Sequence, residues 1–287
     1  MFEKGGDEAC TWRHCKLVSP RNRTIQLTRS DRKIYIPEPI PSHPQANHLY
    51  QGDAIEGLKR LRKGSVSLII SDPPYEMGKG ARLTRYLKWT EEWISLSARS
   101  LRPGGTLYVC SPWETSGAFH EILSRHVTVR NRITWKREKG RGARQNWKSN
   151  MEDVWYATKG EGYTFHLVKW KKPVIAPYRE NGKPKDWIEK NGERFRMTHP
   201  SNIWTDLCVP FWSMSENTPH PWQKPEKLVS RLIEASSSPK GLVVDPFLGS
   251  GTTAVVAKKL GRRFIGFEQD AEYVRLAMKR LALHTTD

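Results

Sequence analysis

Two short runs in the 287-residue sequence carry residue types and spacings that can do chemistry. The first is Ser71-Asp72-Pro73-Pro74-Tyr75, directly after the apolar stretch Val66–Ile70. Two consecutive prolines fix φ and remove two backbone donors while keeping their carbonyls as acceptors. Asp72 adds a carboxylate acceptor and Tyr75 a flat aromatic face. This set suits an exocyclic amine on a planar ring: its two N–H groups meet the Asp72 carboxylate and the Pro73 carbonyl, and its ring stacks on Tyr75.

The second run is Asp245-Pro246-Phe247-Leu248-Gly249-Ser250-Gly251-Thr252-Thr253, between an apolar strand pattern and a helix pattern. Gly249 and Gly251 allow a sharp turn and a close approach of backbone to ligand. The following strand pattern, Arg263–Phe267, ends at Glu268, where an acidic side chain suits ribose hydroxyls. The GxxxxGK[ST] spacing that cradles triphosphates is missing. Together the runs predict a nucleoside cofactor with a small phosphate load. No metal-ligand spacing appears: Cys10, His14 and Cys15 match no standard zinc pattern.

The elements that position these runs read as alternating strands and helices from Asn47 onward. Strands are expected at Asn47–Gly52, Ser65–Ser71, Thr106–Cys110, Arg130–Trp135, Asp153–Thr158, Leu242–Asp245 and Arg263–Glu268. Helices are expected after Asp53, over Leu83–Leu101, Ser116–Arg125, Pro225–Ala235, Thr252–Leu260 and Ala271–Leu283, with Arg102-Pro103-Gly104-Gly105 as a helix stop and turn. This order predicts an α/β fold: a doubly wound, mainly parallel, seven-stranded sheet covered on both faces. The division expected is an N-terminal arm over 1–46, a first half over 47–135, a basic insertion over 136–215 and a second half over 216–283. Residues 159–220, rich in Pro, Gly, Asn and Lys, read as loops and short elements.

Forty-eight Lys and Arg stand against 30 Asp and Glu, a formal net charge of +18. The stretch 121–200 holds 19 of the bases and only nine of the acids, so more than half of the excess lies there. Concentrated cationic charge among aromatics such as Trp135, Trp147 and Trp155 points to a polyanion, with Lys and Arg displacing counterions from phosphates. No apolar run is long enough to span a bilayer and the first 15 residues lack the apolar core of a secretory signal, so a cytoplasmic, nucleoid-associated protein is expected. Four scattered cysteines do not make a disulfide scaffold.

With both runs in view, the chain resembles the permuted β class of S-adenosylmethionine-dependent DNA amino-methyltransferases, of the adenine-N6 type. The order of the runs carries the resemblance: the Asp72–Tyr75 loop precedes the Gly249–Gly251 loop, and the basic stretch lies between them. Gln51-Gly52-Asp53-Ala54 resembles the family's adenine-contacting cofactor motif. His220-Pro221-Trp222-Gln223-Lys224-Pro225 is similar to its His-Pro-Thr-Gln-Lys-Pro signature, with Trp222 in place of Thr. The resemblance implies a Rossmann-like, circularly permuted methyltransferase fold with an inserted target-recognition region. It implies Asp72, Pro73, Pro74 and Tyr75 as catalytic residues. It implies Asp53, Ala54, Asp72, Lys224, Asp245, Phe247, Gly249, Ser250, Gly251, Thr252 and Glu268 around the cofactor, with Lys224 on its methionine carboxylate.

The substrate implied is double-stranded DNA with the target base flipped into the pocket. Lys79, Arg82 and Arg85 after Tyr75, and Lys136, Arg137, Lys139, Arg141, Arg144, Asn146 and Lys148, are the expected DNA contacts. Glu76–Tyr86 is expected to close over the DNA. A homodimer and a separate restriction endonuclease are the protein partners that the resemblance allows. Cytosine N4 is the alternative target, disfavoured because Asp72 stands where cytosine enzymes more often carry Ser. A catalytically inactive DNA-binding module is the alternative of another class, and an RNA methyltransferase is disfavoured by the motif order.

Overall fold

The computed structural model describes residues 19–75, 80–137, 145, 147–166, 170–173, 179–181, 183–184 and 188–284. In chain order the elements are α1 (Asp31–Ile34), β1 (Glu38–Pro39), β2 (His48–Gln51), α2 (Ala54–Arg60), β3 (Val66–Ser71), α3 (Ala81–Ser100), β4 (Leu101–Ser111), α4 (Trp113–His126), β5 (Thr128–Lys136) and β6 (Met151–Thr158). Short strands follow: β7 (Trp170–Pro173), β8 (Arg179–Glu180), β9 (Lys183–Pro184), β10 (Ile188–Lys190), β11 (Glu193–Thr198) and β12 (Ile203–Trp204). The chain closes with α5 (Glu226–Ser236), β13 (Leu242–Asp245), α6 (Thr252–Lys259), β14 (Arg263–Glu268) and α7 (Ala271–Leu283).

The main sheet has the order β1-β2-β14-β13-β3-β4-β6-β5-β12. Nine strands rather than the expected seven arise because two-residue strands, β1 and β12, extend its two edges. Neither is long enough to show a period in sequence. Every pairing is parallel except those of β6, which runs antiparallel to both β4 and β5. The last two strands of the chain, β13 and β14, lie between β2 and β3, which is the permuted connectivity that the order of the two runs implied.

β3 alternates its side chains between two packed faces. Val66 and Ile69 join a cluster with Tyr86, Trp93, Ile94, Phe119 and Leu123 from α3 and α4. Leu68 and Ile70 join a second cluster with Leu228, Leu232, Ala254, Val274 and Ala277 from α5, α6 and α7. Helices on both faces leave the central strands β3 and β13 no solvated side, so they read as continuous apolar runs rather than alternating ones. α3 ends at Ser100 as the Pro-Gly-Gly signal requires, but Arg102–Gly105 continues directly into β4 instead of turning. Gly104, at φ 71°, and the register shift between Val66 and Leu68 absorb the irregularity. The segment 159–220 carries short strands, with β10, β11 and β7 in a three-stranded sheet and β8 with β9 in a pair. Residues 1–18, including Cys10, His14 and Cys15, lie outside the described residues.

Candidate active site

β3 and β13 are adjacent and parallel, with Val243 opposite Leu68 and Val244 opposite Ile69. The loops that follow them therefore leave the same edge of the sheet, at the carboxyl ends of the strands where open α/β sheets bind ligands. Between these loops lies a cavity of about 420 Å³. It is lined by all four residues of Asp72–Tyr75 and by Asp53, Ala54, Lys224, Asp245, Phe247, Gly249, Ser250, Thr252 and Glu268. Gly251 is the one expected cofactor residue that does not line it. Gly251 stands at the N-terminus of α6 with φ 83°, and a Cβ there would come within 2.5 Å of the Ala277 Cβ. Its absence of a side chain serves the turn and the packing of α7.

The acidic lining residues are held by backbone groups. Asp53 caps α2, its Oδ1 accepting from Ile55 N at 2.8 Å and Glu56 N at 3.1 Å, which leaves Oδ2 to Gln269 Nε2 at 2.8 Å. Glu268 accepts from Gly249 N and from Asp270 N, each at 2.9 Å. Asp245 accepts from Phe247 N at 3.0 Å and from the Thr253 hydroxyl at 2.6 Å; burial raises its carboxyl to about 7 against those hydrogen bonds. Phe247 completes an aromatic wall with Trp89 and Trp93, whose ring centroids are each 5.4 Å from its own.

The Asp72–Tyr75 loop meets a cationic partner, Lys224. Lys224 was expected on the methionine carboxylate of the cofactor. Its Nζ lies 2.6 Å from Asp72 Oδ2, 2.8 Å from Glu152 Oε1 and 5.7 Å from the centre of the Tyr75 ring, in the cavity that the expected cofactor residues line. Burial works against the Lys224 charge, but the two carboxylates outweigh it and hold the ammonium well above the usual lysine range. The Tyr75 hydroxyl donates to Asp72 Oδ1 at 2.7 Å and lies 3.1 Å from Glu152 Oε1. Burial first, then these two carboxylates, push the phenol well up, so it stays a donor.

Three functional neighbours, Glu152, Cys110 and Arg280, lay outside the sequence reading, and a fourth, His220, entered it only as part of the signature around Lys224. Glu152 is 1 % exposed on β6, beside the equally buried Asp153 and before the apolar run Val154–Ala157. Cys110 at the end of β4 lines the cavity, with burial raising its thiol. Arg280 on α7 reaches the glycine loop from behind. His220, in the loop before Lys224, packs on Tyr273 with ring centroids 4.5 Å apart, and burial lowers its pKa to about 4.

The expected DNA contacts divide. Arg82 and Arg85 are exposed on the first turns of α3, and Lys136 and Lys148 are exposed at the two ends of the basic stretch. Arg137 is half-buried and turned toward Glu152. Its Nη1 donates to Glu152 Oε2 at 2.7 Å and its guanidinium lies 5.8 Å from the Trp135 ring centre. Lys79, Lys139, Arg141, Arg144 and Asn146 lie outside the described residues, as do residues 76–79 of the loop expected to close over DNA, whereas its later part, from Ala81 to Tyr86, forms the first turns of α3.

The model of the family described as DNA methylase matches residues 66–279. The chain is 33% identical over 239 residues to the Type II methyltransferase M.HpaI of Haemophilus parainfluenzae, covering 80% of this chain and 72% of that protein. It is 33% identical over 260 residues to the DNA adenine methyltransferase YhdJ of Escherichia coli, covering 85% of each. Among solved structures, the M1.HpyAVI–SAM complex superposes with a TM-score of 0.58 at 26% identity, over 82% of this chain and 98% of that one. The cytosine-N4-specific PvuII DNA methyltransferase shares the fold, with a TM-score of 0.65 at 21% identity over 87% of this chain and 91% of that one. A family match that spans both loops and the sheet between them, joined to these relatives over most of their lengths, places the chain in the N6/N4 DNA methylase family.

Proposed function

We propose that the protein methylates the N6 amine of adenine in double-stranded DNA at a specific sequence, with S-adenosylmethionine as donor. One observation carries this reading: the Asp72–Pro73 acceptors and the Gly249 loop line one cavity, because their strands are neighbours in the sheet.

The residues present fit the cofactor. In a chain of net charge +18, the cavity is lined by the carboxylates of Asp53, Asp72 and Glu268 and by the more weakly acidic Asp245, against one ammonium among the described residues, that of Lys224. Such a lining favours a cationic guest. Asp53 and Glu268, at the ends of β2 and β14, are acceptors for ribose and adenine groups, and Phe247 with Trp89 offers aromatic surface. Gly249, with φ 52°, lets the loop backbone pass against His220, whose Nε2 a Cβ would meet at 3.0 Å. S-adenosylmethionine supplies a methyl group made electrophilic by its sulfonium.

The work left to the protein is to orient the amine and raise its nucleophilicity. Asp72 and the Pro73 carbonyl accept the two N6 hydrogens and turn the nitrogen lone pair toward the donor. Orientation of this kind is worth several kcal/mol of barrier lowering, and the Asp72 charge stabilises positive charge developing on nitrogen. Tyr75 replaces the stacking that the base loses on leaving the duplex; a recessed site of this kind requires a flipped base.

Residues 136–215 serve in this reading as the target-recognition insertion. A second copy of the chain and a separate restriction endonuclease of the same specificity are its protein partners, and the cytoplasmic nucleoid is its place of action. No helix among the described residues is long and apolar enough to cross a membrane.

Long-read methylation sequencing of DNA from cells expressing the protein, beside an Asp72→Ala control, tests the reading. The expected result is N6-methyladenine at one sequence motif, lost in the control. N4-methylcytosine in its place would overturn the choice of base, and unmodified DNA would overturn the activity.

A further inference from the structure

Both oxygens of the residue that must receive the target amine already hold a donor. The Tyr75 hydroxyl takes Asp72 Oδ1 at 2.7 Å, and the Lys224 ammonium takes Oδ2 at 2.6 Å. Both donors share one second acceptor: Glu152 Oε1 lies 3.1 Å from the Tyr75 hydroxyl and 2.8 Å from Lys224 Nζ. Glu152 comes from β6, far in sequence from either loop, and its other oxygen is held from behind by Arg137 at 2.7 Å. We infer that Glu152 is a positioning residue that draws Lys224 and the Tyr75 hydroxyl off Asp72 as the target amine arrives. The inference rests on the reading of Asp72 as the acceptor of that amine.

The energetic reason is a competition. A hydrogen bond between an ammonium and a carboxylate is roughly twice as strong as one between neutral groups. An aromatic amine is neutral, so by itself it does not displace Lys224 from Asp72. A lysine with a second carboxylate within reach gives up the first at little cost, since its charge stays paired. Arg137 keeps that second carboxylate in place when Lys224 shifts onto it. The arrangement also explains how Glu152 is buried near the start of β6: an ion there is costly unless its charges are paired, and Glu152 is paired on both oxygens.

The test is Glu152→Gln, which preserves the shape of the side chain and an acceptor for Tyr75 but removes the charge. Single-turnover methyl transfer from labelled S-adenosylmethionine to unmethylated genomic DNA is measured alongside cofactor affinity, the KM for DNA and the unfolding temperature. The expected outcome is a fall in rate of about 30-fold or more, with cofactor affinity and KM within about threefold and an unchanged unfolding temperature. The pH profile supplies a second signature. Lys224 is faced by Asp72 and Tyr75 from the loop after β3, by Cys110 from β4, by Glu152 from β6, by Asp245 from β13 and by His220 from its own loop. Removing Glu152 weakens the hold on the Lys224 proton but leaves Asp72 facing it, so a rise of the variant's rate with pH is expected only at or above the ordinary lysine range, where the wild-type rate shows none. A Lys224→Met/Glu152→Gln double variant is expected to be no slower than Glu152→Gln alone.

A Glu152→Gln rate within threefold of wild type, or losses of rate and of both affinities in equal proportion, would overturn the inference. Should Glu152→Gln not fold cooperatively, Glu152→Asp carries the test, because its shorter arm lengthens the Lys224 contact; a several-fold lower kcat at constant KM is expected, and an unchanged kcat overturns the proposal. Asp72→Asn separates the two levels. If it stays active, the reading of the whole site fails; if it is inactive while Glu152→Gln is not, only the role of Glu152 fails.

Discussion

Arg280 and Glu226 meet at 2.9 Å, joining the last helix of the chain to the first residue of α5, and the arginine has no exposed surface. The other arm of the same guanidinium holds the Ser250 carbonyl at 2.9 Å and the Thr252 hydroxyl at 3.0 Å. One buried cation thus ties three segments together: the glycine loop, the helix after Lys224 and the C-terminal helix. Burial lowers its pKa while Glu226 opposes the shift. Ser250 and Thr252, expected on sequence grounds to face a cofactor, line the cavity with one side and are held by Arg280 on the other.

Replacing Arg280 with Met therefore removes a support for the cofactor loop as well as an ion pair. Breaking a buried pair costs about 3–5 kcal/mol. The lower end applies, because Lys259 remains 2.6 Å from Glu226. Urea unfolding is expected to show a loss of about 3 kcal/mol, and calorimetric titration a drop in S-adenosylmethionine affinity of tenfold or more. Unchanged affinity would mean that the loop keeps its shape without this support.

Gly251→Ala separates backbone strain from collision. The position has φ 83°, and the new Cβ would lie 2.5 Å from the Ala277 Cβ and 3.0 Å from its Cα. Alanine at a positive φ destabilises by more than about 1 kcal/mol, and the contact adds to that. Adding Ala277→Gly relieves the contact but not the strain, so it should restore part of the lost unfolding temperature. Full restoration would show that φ carries no cost here.

Asp245 makes stability fall as pH rises. Its carboxyl is raised to about 7 in the folded protein, chiefly by burial, and an unfolded aspartate releases its proton near 3.9. Between these values the folded state binds more protons, so stability is greatest at the acid end and declines toward pH 7, by up to about 1.4 kcal/mol per pH unit. His220 acts in the opposite sense. Its pKa is lowered to about 4, the unfolded chain takes up the proton first, and its contribution is lost as pH falls from about 6.5. Asp245→Asn should flatten the decline toward neutral pH in the cofactor-free protein, and His220→Gln should flatten the acid side. A wild-type slope retained in Asp245→Asn would assign the effect to another group.

The parts of this architecture that were legible in sequence are those set by local pattern. Val66–Ile70 and Leu242–Val244 are apolar runs ending in Asp-Pro, and each proved to be a central strand followed by a loop of the site. Contacts made across the sheet were not legible. Nothing local distinguishes Glu152 from an edge carboxylate, because its burial depends on Arg137, Lys224 and Tyr75 arriving from three other places. Arg280 reads as one more polar residue of an amphipathic helix, and its partners are 28 to 54 residues away. Lys224 was recognised by its signature, yet signature alone does not say which of several nearby anions a lysine meets.

The basic stretch permits a prediction about division of labour. Arg137, at its start, is turned inward onto Glu152, whereas Arg82, Arg85 and Lys148 are exposed. Binding of DNA should then depend on residues further along the stretch, and cofactor binding should not. Reversing the charges of Arg141 and Arg144 to Glu is expected to weaken DNA binding, and the slope of log affinity against log salt should shrink by about two, one for each lost phosphate contact. S-adenosylmethionine affinity should be unchanged, since the carboxylates that line the cavity come from loops at the ends of β2, β3, β13 and β14. Fluorescence anisotropy with a labelled duplex at several salt concentrations, beside calorimetry with the cofactor alone, measures both. Equal loss of the two affinities would show that the insertion supports the cofactor site and that DNA is held elsewhere.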